Sequence, residues 1–140
     1  MTDFQKERYE AIDAGYRALT SLNAALQQLK SARTWGNVDM FLSSGLFTSM
    51  MKYSKINKAQ RYMDEARYAL ESFSRELQDV NRYYNLSLEI GDFLTFADVC
   101  MDNFFVDWAV QTRIKQAAEQ VEQAIAYITE ILHQLEETTI

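Results

Sequence analysis

The sequence predicts an all-α protein, an antiparallel bundle of three long, coiled-coil-like helices forming a single domain over residues 1–140. Three observations carry this. Apolar residues recur at alternating steps of three and four in three separate stretches, the pattern of helices packed along their length. Proline is absent and glycine occurs only four times in the 140 residues, so almost nothing interrupts a helix. Concentrated turn signals fall in only two places, which leaves three segments to be helical.

The first helix is predicted from Phe4 to Arg33, with Ile12, Tyr16, Leu19, Leu22, Leu26 and Leu29 as its seam. Gly15 lies inside this pattern at a cost of about 1 kcal/mol relative to alanine, which a close helix contact would explain. Thr34 to Gly45 breaks the period with Gly36, Asn37, Ser43, Ser44 and Gly45, yet interleaves Trp35, Met40 and Phe41. Such a connection folds back on a bundle end.

The second helix is predicted from Gly45 to Ile90, continuous through Ser54. Its seam is the clearest in the chain: Ile56, Ala59, Met63, Ala66, Leu70, Phe73, Leu77, Val80 and Tyr84. Gly91 reads as its left-handed C-terminal residue and Asp92 as the N-cap of the next segment, a possible short helix over Asp92 to Cys100. The third long helix is predicted from Asn103 to Glu137, with Ile114, Ala118, Val121, Ile125, Ile128, Leu132 and Leu135 inward. Glu136 and Glu137 oppose the macrodipole there and predict a frayed end.

The chain aligns on itself at an offset of 58 positions, Ile56, Met63 and Leu70 falling on Ile114, Val121 and Ile128. Both long helices open with an aromatic lead-in, and an up-down-up order would put one lead-in at each end. A return along the bundle by residues 91–103 is barely possible, because an extended chain of that length reaches at most about 45 Å.

The strings WGNVD, GLFTSMMKYSKI and DNFFVDWAVQTRI resemble those of an uncharacterised family of small all-helical proteins of Gram-positive bacteria. The resemblance covers the middle half of the chain and implies a helical fold without implying a function. Ser43 and Ser44 stand where that pattern has glycines, and Tyr53 where it has histidine, which weakens any metal or phosphate site placed there.

Composition narrows the function classes. A net charge of −6 repels polyanions, so neither nucleic acid nor an anionic membrane surface is an expected partner. No run of about 18 apolar residues offers a membrane span, and the first residues lack a signal-peptide pattern; a cytoplasmic location is the expectation. The single cysteine, Cys100, has no intramolecular partner and an apolar, acidic setting that leaves a thiol inert. His133, the only histidine, belongs on a helix surface. No zinc, CxxC, dinucleotide or phosphate-loop motif occurs, so catalysis is not the expectation.

Three sets of residues remain as candidate sites. Asp98, Asp102, Asp107 and Asp39 form the one acidic constellation outside the solvated faces, with oxygen ligands of the kind that Mg²⁺ or Ca²⁺ takes. Trp35, Phe41, Phe47, Phe104, Phe105 and Trp108 are the candidate lining of an aromatic pocket. Tyr62 and Tyr68 lie off the second seam, and with the uncharged face of Gln116, Gln120 and Gln123 they suit a helix-to-helix interface. The leading expectation is a non-enzymatic interaction or scaffold protein that self-associates, a twofold dimer being the commonest solution for identical chains. The alternative is a binding protein using the aromatic pocket and a cation.

Overall fold

A computed structural model describes residues 2–41, 46–83, 88–99 and 114–137, with side chains placed over 2–31, 57–81, 90–99 and 115–137. Among the described residues the chain is four α-helices without a strand: α1 (Asp3–Phe41), α2 (Leu46–Tyr83), α3 (Leu88–Val99) and α4 (Ile114–Glu137). They gather round one core, a packing compatible with a bundle.

α1 opens on a capping box that the sequence reading passed over. The Gln5 amide donates to Thr2 Oγ1 at 3.1 Å, and the Thr2 amide donates to Gln5 Oε1 at 3.0 Å, so two N–H groups at the helix start find side-chain acceptors. The helix continues to Phe41, past the predicted end at Arg33. Gly36 and Asn37 therefore do not stop it; each is a weak helix former, and neither is a proline.

The described part of the α2 seam is as predicted: Ala59, Met63, Ala66, Leu70, Phe73, Leu77 and Val80 are all buried, while Ile56 and Tyr84 lie outside the residues whose side chains are described. The helix is continuous through Ser54 and is described to Tyr83; residues 84–87 lie outside the described residues, and Ile90 belongs to α3. Gly91 and Asp92, predicted to separate helices, lie inside α3. The seam of α1 is also corrected. Its buried residues are Ala11, Ala14, Ala18, Leu22, Ala25 and Leu29, while Tyr16 is exposed and Ile12, Leu19 and Leu26 are half-buried. Alanine faces inward because α1 packs against both α2 and α4, and small side chains let two neighbours approach one helix closely. A Cβ on Gly15 would meet Leu132 Cδ2 at 2.6 Å and Phe73 Cε1 at 3.0 Å. The glycine thus marks the close contact its position implied.

Helix directions follow from these contacts. Arg8 near the start of α1 reaches Leu135 near the end of α4, and Gly15 lies at Leu132. Glu7 lies beside Glu76 and Asp79 of α2, whereas Arg17 and Thr20 face Glu65 and Tyr68. Both α2 and α4 are therefore antiparallel to α1 and parallel to each other. This departs from the predicted three-helix, up-down-up order. α3 packs against both α2 and α4. Its Phe93 ring sits 5.6 Å from Phe73 and 5.9 Å from Tyr127, and Phe96 sits 5.1 Å from Tyr127, tilted pairs in the favourable range for aromatic rings.

Candidate functional site

The outer surface of α1 and α2 carries the most exposed large side chains among the described residues. Tyr68 is 75% exposed, Tyr9 67% and Tyr16 51%. Between the two helices runs an open groove of about 630 Å³, floored by Ala14 and Ala69 and walled by Tyr16 and Tyr68. Its volume falls in the range of small-molecule sites, but those are lined mainly by apolar groups, and this one presents Asp13, Arg17, Thr20, Ser21, Glu65 and Ser72. Its chemistry is that of an interface surface with aromatic ridges and mixed charge. Arg17 is paired with Asp13 at 2.8 Å on α1, and Arg75 with Glu71 at 3.8 Å on α2.

A second recess, lined by Asp64, Arg67, Tyr68 and Glu71, lies on the other side of Tyr68. That ring therefore stands as a ridge between two depressions. Tyr62 differs: it is half-buried and packs against the core, so of the two predicted interface tyrosines only Tyr68 projects freely outward. On α4, Gln116 and Gln123 are exposed and Gln120 is half-buried.

The end of the bundle near the start of α1 is built from charge. The Arg8 guanidinium donates from Nε to the Leu135 carbonyl at 2.7 Å and from Nη2 to the Glu136 carbonyl at 3.0 Å, two carbonyls that the end of α4 leaves without helical partners. The Tyr16 hydroxyl donates to the Glu136 carboxylate, and this bond, with lesser contributions from burial and the carboxylate's charge, raises the tyrosine's pKa above its ordinary value. The end of α4 predicted to fray is thus held from α1. His133 Nε2 lies 3.0 Å from Glu137 Oε1 on the helix surface, the surface position the sequence implied.

On the neighbouring edge, carboxylate oxygens of Glu7, Glu76 and Asp79 lie within 4.8 Å of one another. Glu76 Oε2 is shielded from solvent without a hydrogen-bond partner. Burial raises the Glu76 pKa, reinforced by repulsion from Glu10, Asp79 and Glu7 and partly opposed by Arg75. Among the described residues these three have the donor set and proximity a hard divalent cation uses. Sequence reading missed them because it left open which turn of α1 faces which turn of α2. The available signal was Glu76 itself, beside the seam residues Phe73, Leu77 and Val80.

Of the predicted metal residues, the structure places Asp98 on α3 as an exposed side chain; Asp39, Asp102 and Asp107 lie outside the residues whose side chains are described. The predicted pocket residues Trp35, Phe41, Phe47, Phe104, Phe105 and Trp108, and Cys100, lie outside them as well. Among the described residues no helix is long and apolar enough to cross a membrane. No family model, curated protein or solved structure matches the chain.

Proposed function

We propose that the protein is a non-enzymatic helical scaffold acting in the cytoplasm through self-association, as a twofold dimer. The architecture proposed for it is an antiparallel bundle in which α3 fills a fourth position between α2 and α4, in place of the three-helix form. The observation that carries the reading is the outward Tyr68, 75% exposed and flanked on both sides by recesses. A large amphipathic ring in such a setting offers contact area at small entropic cost, and closed twofold pairing is how most identical chains use such a surface.

Light scattering from micromolar to near-millimolar protein tests the reading. A mass that rises from one chain to two is expected, and a mass of one chain throughout would end it. The variant Tyr68→Glu should return the mass to one chain with helix content intact. Tyr62→Glu should instead lower helix content or melting temperature, because that ring packs against the core.

A further inference from the structure

The outer face of α2 repeats at the same three-to-four steps as its core face, and its charges are sorted by position. Arg61, Tyr68 and Arg75 occupy one set of positions along the stripe, and Asp64 and Glu71 occupy the alternate set. Arg61, Asp64, Tyr68 and Arg75 are exposed, and the Glu71 side chain is 45% exposed. The core seam, one helix face away, is uncharged throughout.

The sorting discriminates between the two ways in which α2 can meet α2 of a second copy. Side by side in the same direction, like positions meet: Arg61 faces Arg61, Asp64 faces Asp64, Glu71 faces Glu71, and every charged layer repels. Reversing one helix exchanges the two sets, so Tyr68 and one arginine face the acids, either Tyr68 on Asp64 with Arg61 on Glu71 or Tyr68 on Glu71 with Arg75 on Asp64, while the other arginine meets uncharged Asn57 or Gln78. With the twofold axis beside Tyr68, both rings sit near the centre, and each reaches the recess that Asp64, Arg67, Tyr68 and Glu71 line on the other copy. A tyrosine hydroxyl donates to a carboxylate there, whether of Asp64 or Glu71.

We infer that the outer stripe of α2 is the dimer surface, that its partner is the same stripe of a second copy of this chain, and that the two helices cross it antiparallel. The inference rests on the self-association proposed above and adds the surface and the direction. The alternating charges set specificity: like-charge juxtaposition excludes the parallel pairing, and opposite-charge pairing steers the antiparallel one.

Charge reversal of the full chain tests it by sedimentation equilibrium. The variant Arg61→Glu with Arg75→Glu makes both sets acidic, and the antiparallel dimer should weaken at least about tenfold. Adding Asp64→Lys and Glu71→Lys restores opposition in the antiparallel pairing alone, and affinity should return to within about threefold of the parent. Added salt should weaken the parent dimer and the fully reversed one alike. A parent that stays monomeric overturns self-association and this inference together. A parent that dimerises but does not respond to Arg61→Glu with Arg75→Glu overturns the stripe alone, and so does a fully reversed chain weaker than the half-reversed one. All four side chains are solvent-facing, so circular dichroism should show unchanged helix content in each variant.

Discussion

One turn of α2 separates Phe73 from Glu76, and the two levels of the bundle hold together by opposite means. At the Phe73 level the rings of Phe73 and Phe93 pack 5.6 Å apart, and α1 comes so close that a Cβ on Gly15 would overlap Leu132. At the Glu76 level three carboxylates crowd within 4.8 Å, one oxygen among them buried and unpartnered. At the first level the contacts of Phe73 with Phe93 and of Gly15 with Leu132 are apolar, so their stabilisation is independent of pH. The second is a source of repulsion whose size the solution sets. A marginally stable domain tolerates the second because the first is so well packed.

The largest expected effect comes from emptying the packed level. Phe73→Ala removes a fully buried ring that contacts Phe93 and lies against α1 at Gly15. A loss of about 3–5 kcal/mol in urea unfolding is expected, with no change in how stability varies with pH. A loss near that of an exposed substitution would mean that the layer is not packed as described.

Gly15→Ala overfills the same level. Its Cβ would meet Leu132, itself buried, and Phe73, and overpacking costs typically 1–3 kcal/mol, of which about 1 is offset by alanine's better helix propensity. A net loss of up to about 2 kcal/mol is expected. Gly91→Ala sharpens the comparison with the sign reversed. Gly91 is a helical residue, and a Cβ added to it would meet nothing within 4 Å, so the same substitution should raise stability by up to about 1 kcal/mol. Paired thermal melts decide it, and a gain at both sites would show that α1 is not pinned at Gly15.

These two glycines also show how far the sequence is legible. The seam of α2 could be read residue by residue, because a long amphipathic helix writes its buried face in its period. Gly15 could be read as a close contact, since an interior glycine needs a reason. Gly91 read as a helix end, because a glycine between helical stretches looks the same whether it stops a helix or merely weakens one, and it lies inside α3. In α1 large residues outweighed alanines in the pattern, so the inward face was placed on Tyr16 and Leu19 instead of Ala14 and Ala18. The carboxylate cluster was out of reach for a different reason: Glu7 and Glu76 belong together only once the register of α1 on α2 is known, and register is a property of the packed pair. Tyr68 could be found because departure from a seam is itself periodic.

Arg8 ties the charged level together across helices. Its two hydrogen bonds to the Leu135 and Glu136 carbonyls place a cation at a helix C-terminus, where the macrodipole favours it. Arg8→Met keeps much of the aliphatic stem and removes the donors, and a loss of about 1 kcal/mol is expected. Hydrogen exchange should localise it, with the amides of the last turn of α4 losing protection first.

The smallest effect is the most diagnostic, because only the charged level should produce it. The Glu76 pKa is raised in the folded protein, by burial first and by Glu10, Asp79 and Glu7 after it. Between the ordinary value of 4.5 and that raised value the folded protein keeps a proton that the unfolded chain has released. Folded stability must then fall as pH rises through this window and level off above it, where both states are ionised. Glu76→Gln keeps the shape and removes the titration. Variant and parent should be close in stability below the window, where both side chains are neutral, and the variant should pull ahead as pH rises, by about 0.5–1 kcal/mol at neutral pH from the like-charge contacts relieved. Urea titrations at low salt across pH 4 to 8, a range of about four units chosen to bracket ordinary carboxylate titration, would show the two curves diverging. Added salt should narrow the gap by screening Glu7, Glu10 and Asp79. A difference between parent and variant that stays constant with pH would remove the charge conflict from Glu76 and leave Phe73 and Glu76 as two parts of one ordinary core.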